Sequence, residues 1–363
     1  MKKEFRWTMV FFLAAVQVFG LLQLGLAQHR DRYDRPIPMG VSISTTPTEP
    51  FLAAGTAGML VRNLSIPIDL PIRFILSTNH VAGAVGPTLC PNTAIPLLNP
   101  ILQPGTLDIG SDPSVDREFV VGLFVQSVPI ILTPPVPNSV DAAIAITARR
   151  FANPEILGIG FPTPEVGQAE LDMDVTKSGR ASGVTNGKVD AINVTVSVEY
   201  DTCGTARFVD QIMFSDMSDP GDSGSVILES NTLKPVALLF AESNTNTVGN
   251  PFSAVVEALN VFPVGEESAI SEPTSLDEVM ARIRSRKVDP RLERLKNIQE
   301  RHEGSIMSLA DVVGIGIGSG KDGQGYEFVV YSERLGPEIT RQVPQQIEGV
   351  PVRLKESGPF KAN

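Results

Sequence analysis

The sequence predicts a mainly β protein, built as a sandwich or as paired barrels. Three observations carry this expectation. Glycine (31) and proline (29) are abundant among the 363 residues, and both punctuate short strands and turns. Val, Ile, Thr and Phe fill the apolar runs, the residue types that suit a pleated surface. Many such runs follow one another from about Met39 to Val264, in the spacing of a many-stranded sheet protein.

Taken in order, the strand candidates are GTAGMLVRN, RFILSTNHV, EFVVGLFV, DAAIAIT, KVDAINVTVSVEY, TARFVDQIMF, SVILES and PVALLFAES. One helix is expected at PFSAVVEALNVF. Residues 28–38 form a polar, proline-bearing lead-in. From Gly265 to about residue 304 the chain turns charged and helix-forming, a spacer or docking arm for which a solvated face is the first expectation. Ser275 stands as a helix cap before Asp277 and Glu278, and Pro290 divides the arm into two helices. Residues 305–363 form a small α+β module. Its run VVGIGIGSGKDGQG alternates with period two and leads into another strand. That predicts a glycine-rich hairpin and no nucleotide site, which would need a helix after the turn.

The first 27 residues carry a positive end (Lys2, Lys3, Arg6), an apolar stretch, and small residues at Gly25-Leu26-Ala27. This is a signal peptide with cleavage expected after Ala27, or an uncleaved anchor, and it places the protein outside the cytoplasm, secreted or periplasmic. Formal net charge is −11. Removing residues 1–27 takes away three cations and Glu4, a net +2, and leaves −13. An acidic chain without a basic stripe excludes nucleic acid as a natural partner. The two cysteines, Cys90 and Cys203, could pair in an oxidising compartment, but spacing alone does not bring them together. Neither has a histidine beside it, so no structural zinc site is expected, and no cofactor motif is visible.

The stretch DPGDSGSVIL, residues 219–228, places Asp-Ser-Gly after Pro-Gly and ahead of a buried strand. Turn chemistry alone would account for the glycines. A nucleophilic serine would account for more, because it needs a tight loop that exposes its hydroxyl and gathers backbone N–H groups. Of three histidines, His29 adjoins the cleavage point and His302 lies in the charged arm. His80, in STNHVAG, is therefore the base such a serine would use. Asp141 opens the apolar run DAAIAIT, where a carboxylate is partly desolvated and needs a partner.

The order His80, Asp141, Ser223 is that of the chymotrypsin-type triad. STNHVAG resembles that family's histidine motif, with Asn79 where alanine is common. VDAAIA resembles the aspartate motif, and PGDSGS the nucleophile motif GDSGG with Ser225 in place of the last glycine. Residues 39–264 thus resemble a trypsin-like serine peptidase of the bacterial kind, and KSGRASGVTNGKV resembles the hairpin between its second-barrel strands. The C-terminal module resembles one commonly placed ahead of such domains.

This resemblance implies two six-stranded antiparallel β-barrels, with the helical arm and the small module appended. It implies Ser223 as nucleophile, His80 as general base, Asp141 as the group orienting His80, and an oxyanion hole from the N–H groups of Gly221 and Ser223. Asp222 would anchor the loop through a buried pair with a cation that the sequence does not identify, and Lys177 and Arg180 would be structural. Met217 would sit at the floor of the specificity pocket. Phe240, Ala241 and Glu242 would pair with an extended peptide substrate, Glu242 standing where glycine usually keeps the pocket open. Two further expectations compete with an exported endopeptidase: a catalytically silent domain that binds peptides in the same cleft, and an unrelated β-rich adhesion module.

Overall fold

The computed structural model describes residues 29–46, 53–83, 96–109, 117–265, 273–287, 289–320, 323 and 325–362. The expected signal peptide and its cleavage point lie outside the described residues, as does Cys90. Among the described residues no helix is long and apolar enough to cross a membrane.

The molecule is mainly β. An eight-stranded antiparallel sheet runs in the order Val261–Pro263, Met59–Asn63, Ile72–Ser77, Ala143–Ala148, Val120–Ser127, Pro100–Leu102, Ser42–Thr45, Gly55–Thr56. Gly55–Thr56 and Met59–Asn63 are nearly continuous in the chain yet sit near opposite ends of that order. The sheet must therefore curl back on itself, and the Gly58 N–H donates to Leu76 O at 2.8 Å within the closure. Counted as one bent strand, they make six strands with the other five, and Val261–Pro263 is an addition.

A second ring closes completely. Gly183–Glu199 pairs with Asp174–Gly179, then in turn come Val226–Glu229, Pro235–Glu242, Asn246–Pro251 and Thr205–Ser215, which returns to Gly183–Glu199. Every pairing in this ring is antiparallel, so it is a six-stranded barrel. The largest apolar cluster spans both barrels, joining Met59, Leu76 and Ile144 to Val226, Leu238 and the helix Phe252–Leu259. That helix falls where the sequence predicts it.

The lead-in is not a loose strap. Ile37–Met39 pairs in parallel with Ala152–Ile156, and His29 is buried with its Nε2 3.0 Å from Ser178 Oγ.

The charged arm forms two helices, Leu276–Arg284 and Pro290–Ile306. The Ser275 side chain accepts from the Glu278 N–H, and Pro290 opens the second helix behind an Asp289 cap. Both helices bury one face, which the charge-rich composition conceals. Val279 joins the barrel cluster, and Leu295, Ile298 and Ile306 pack against the C-terminal strands. The glycine-rich run is a hairpin, Val312–Ser319 with Tyr326–Ser332. Its first strand pairs with barrel strand Gly183–Glu199, and Val350–Glu356 continues the sheet beyond it. The module thus extends the second barrel's sheet and does not stand apart from it.

Candidate active site

The strand Ile72–Ser77 ends in a short turn of helix, Asn79–Ala82, which presents His80 between the barrels. Asp141 lies two residues before the strand Ala143–Ala148, the hydrogen-bonded neighbour of Ile72–Ser77. This adjacency brings residues 61 positions apart into contact: His80 Nδ1 lies 2.6 Å from Asp141 Oδ2. Asp141 is fully buried. Its Oδ1 accepts the backbone N–H of Asn79 at 2.6 Å and of His80 at 3.3 Å. A carboxylate oxygen accepts, so in the neutral ring the tautomer that fits this contact has the proton on Nδ1 and leaves Nε2 as the acceptor. His80 Nε2 is buried and has no hydrogen-bond partner among the described residues.

A fourth group completes this constellation. The Tyr200 hydroxyl donates to Asp141 Oδ2 at 2.8 Å, and its ring meets the His80 ring edge-on with centroids 5.9 Å apart. Burial, reinforced by the adjacent Asp141 charge, holds the Tyr200 phenol well above its usual range, so it stays a donor. Tyr200 closes one of the chain's longest strand runs and carries no motif, which is why sequence reasoning passes over it.

The serine loop arrives from the other barrel. The Thr56 N–H donates to Ser223 O at 2.9 Å, and the Thr56 hydroxyl to Gly221 O at 3.1 Å. A Cβ on Gly224 would stand 2.3 Å from Ser77 Oγ, so the loop presses directly on the end of the strand that leads to His80. Gly55 is bracketed in the same way by Val81, the residue after His80, and by Ser223 O. Gly221 has φ +105° and Gly224 φ +95°, conformations that a side chain would strain. Among the described residues neither the Gly221 nor the Ser223 N–H donates a hydrogen bond.

Two barrels now hold a carboxylate, an imidazole and a serine loop at their junction, in the chain order aspartate-after-histidine, serine last. The fold is a chymotrypsin-like double β-barrel. Comparison with solved structures finds a glutamic-acid-specific serine protease that uses a histidine triad in substrate binding, at 16% identity and TM-score 0.43, covering 63% of this chain and 100% of that one. It also finds Cellulomonas bogoriensis chymotrypsin, at 15% identity and TM-score 0.40, covering 63% and 99%. A Nocardiopsis protease matches at 16% identity and TM-score 0.42, again covering 63% and 99%. No family model and no curated protein sequence matches the chain.

In this chymotrypsin-like frame the cation beside Asp222 is Lys177, 2.7 Å away with both side chains fully buried. Asp222 also accepts the Ala181 N–H at 2.8 Å, the Asp219 N–H at 3.0 Å and the Ser182 hydroxyl at 2.5 Å. Burial pushes the Asp222 carboxyl up, but the Lys177 ammonium and these donors outweigh it and hold it below its usual range. Burial draws the Lys177 ammonium down, only partly opposed by Asp222. Arg180 grips Asp108 through Nε at 2.6 Å and Nη2 at 2.7 Å, and its Nη1 lies 2.5 Å from where a Gly221 Cβ would be. Both cations of the KSGR hairpin therefore brace the serine loop.

A cleft of about 710 Å³ opens beside this loop, lined by Asp216, Ser218, Asp219, Pro220 and Glu242 among others. Met217, expected at its floor, does not line it. That side chain is 4% exposed and packs with Val189, Phe214 and Ile227, its sulfur close under Gly187. Met217 lies two residues past the end of Thr205–Ser215 and turns its side chain into the barrel core, while its neighbours Asp216 and Ser218 line the cleft. Phe240 and Ala241 are buried in the second barrel's core and are absent from the cleft lining, so their side chains do not face it. Glu242 is at the cleft, 8% exposed. Cys203 is disulfide-bonded.

Proposed function

We propose that the protein is an exported serine endopeptidase acting through an acyl-enzyme on Ser223. The supporting observation is the His80 ring, fixed through Nδ1 by Asp141 at 2.6 Å, with its Nε2 buried and unbonded among the described residues. In this mechanism Ser223 Oγ attacks the scissile carbonyl carbon and its proton passes to His80 Nε2. The imidazolium so formed is stabilised by Asp141, itself held by Tyr200 and two backbone N–H groups. The carbonyl oxygen, now an oxyanion, accepts from the Gly221 and Ser223 N–H groups, each such donor being worth about 2.7–4 kcal/mol in comparable sites. His80 returns the proton to the leaving amine, and water repeats the sequence to free the acyl group. The substrate is an extended peptide paired along Phe240–Glu242. Export follows from the N-terminal segment.

A peptide-binding domain without turnover is the second reading, favoured by the Glu242 carboxylate at the cleft. A fluorophosphonate probe separates the two. The expected result is one adduct, mapped to Ser223 and lost in His80→Ala. Well-folded protein that binds peptides and never labels would overturn the enzyme assignment in favour of binding.

A further inference from the structure

The strand Pro235–Glu242 has barrel strands as partners on both sides only in its first half. Val226–Glu229 pairs with it as far as Leu238, and Ser225 and Gly224 meet Leu239. Beyond that point Asn246–Pro251 continues on one side alone, and the other side is the edge along which a substrate would pair. The chain's own C-terminal segment lies there. Phe360–Lys361 runs antiparallel to Pro235–Glu242, with Lys361 opposite Glu242. On its far side it runs parallel to Gly183–Glu199, Phe360 opposite Val198, and the Ala362 N–H donates to Glu199 O at 3.0 Å.

Side chains of this segment alternate as in a bound extended peptide. Phe360 is fully buried, Lys361 is exposed and Ala362 is 9% exposed. Phe360 meets Tyr331 edge-on at 6.1 Å, and Phe360 and Ala362 share one apolar cluster with Phe240, Ala241 and Tyr200. Tyr200 is also the residue that touches His80 and Asp141. The segment thus heads from Phe360 toward the triad, and Pro359 and Lys361 form part of the cleft wall facing Pro220 and Glu242.

We propose that the C-terminal segment Pro359–Ala362 occupies the strand-pairing groove of the active site and restrains the enzyme as a built-in competitor of its substrates. Displacing it opens the groove. The same alternation names the peptide class that replaces it: a large aromatic or apolar residue where Phe360 sits, an indifferent residue next, and a small residue where Ala362 sits. This inference rests on the serine peptidase assignment above and extends it to regulation and specificity.

The test compares the full chain, its Phe360→Ala variant, and a chain ending at Gly358. Each is measured for fluorophosphonate labelling of Ser223 and for hydrolysis of casein. A tethered segment competes at an effective concentration in the millimolar range. Releasing it should therefore raise kcat/KM on the order of tenfold or more, chiefly through KM. The free peptide SGPFKAN should reverse the gain competitively, and its alanine version at the phenylalanine should do so less well. Equal casein hydrolysis by all three labelled proteins would overturn the restraint while leaving the enzyme assignment intact. Absence of labelling in every form, with folding intact, would overturn the enzyme assignment itself. Should the shortened chain fail to fold, Phe360→Ala and the added peptide decide the matter.

Discussion

At the scale of single residues, the proposed triad positions are legible because each sits in a run whose composition is odd unless chemistry explains it. Asp141 opens a run of otherwise apolar residues, and Ser223 follows Pro-Gly-Asp. What escapes is the group that supports a functional residue from a distant strand with no motif of its own. Tyr200 reaches Asp141 across 59 positions, and Met217, just past the end of Thr205–Ser215, turns into the barrel core where the resemblance would put it at the pocket floor. Lys177 lies between these cases: the hairpin is recognisable, yet only the folded chain pairs it with Asp222. That pair carries a pH signature. Asp222 is held below the ordinary 3.8, so its contribution is complete above that value and lost as pH falls through the depressed one. Lys177→Met removes the cation and leaves a buried carboxylate, an event that costs about 3–5 kcal/mol. Burial then raises the carboxyl in the variant, reversing the sign: its stability should increase as pH is lowered from 7 towards 5. Thermal melts of both proteins at the two pH values check this. A stability gap that stays constant on acidification would contradict the assigned role of the pair.

At the scale of elements, the strand runs, the helix Phe252–Leu259, the Pro290 break and the glycine-rich hairpin are visible in composition and period. Less visible is which elements touch. The arm between Gly265 and residue 304 has the charge density of a solvated spacer, but Val279, Leu295, Ile298 and Ile306 are spaced to bury one face, and tertiary contact uses it. The hairpin's glycines likewise state a condition without naming the neighbour. Gly316 lies against the barrel strand, where a Cβ would come 2.7 Å from Val194 Cγ2. Val194 is fully buried and β-branched, so it has little room to yield. Gly316→Ala should therefore cost about 1–3 kcal/mol through overpacking, seen as a lower denaturant midpoint. Fluorophosphonate labelling of Ser223 should be unchanged under native conditions, since Gly316 is remote from the serine loop's contacts. Unaltered stability would show that the hairpin does not press on the barrel as closely as its geometry requires.

At the scale of the whole molecule, sequence texture divides the chain into a β region, a charged arm and a small terminal module, and hydrogen bonding does not follow those divisions. Val312–Ser319 is a direct neighbour of Gly183–Glu199. One apolar cluster contains Val194, Val196 and Phe240 from the barrel together with Val313, Val329 and Tyr331 from the module. Such a shared core cannot be exposed on one side without exposing the other. The lead-in adds to this at the opposite end through the buried His29 and the parallel pairing of Ile37–Met39. Units that share a core and a sheet unfold together, whereas units joined only by a linker melt separately. Scanning calorimetry of the chain beginning at Gln28 should show one transition, with the calorimetric and van't Hoff enthalpies equal. Two resolved transitions, the lower one leaving Ser223 still reactive to the probe, would mean that the module is an independent body. In that case the continuous sheet would be a contact between domains and not a single cooperative fold.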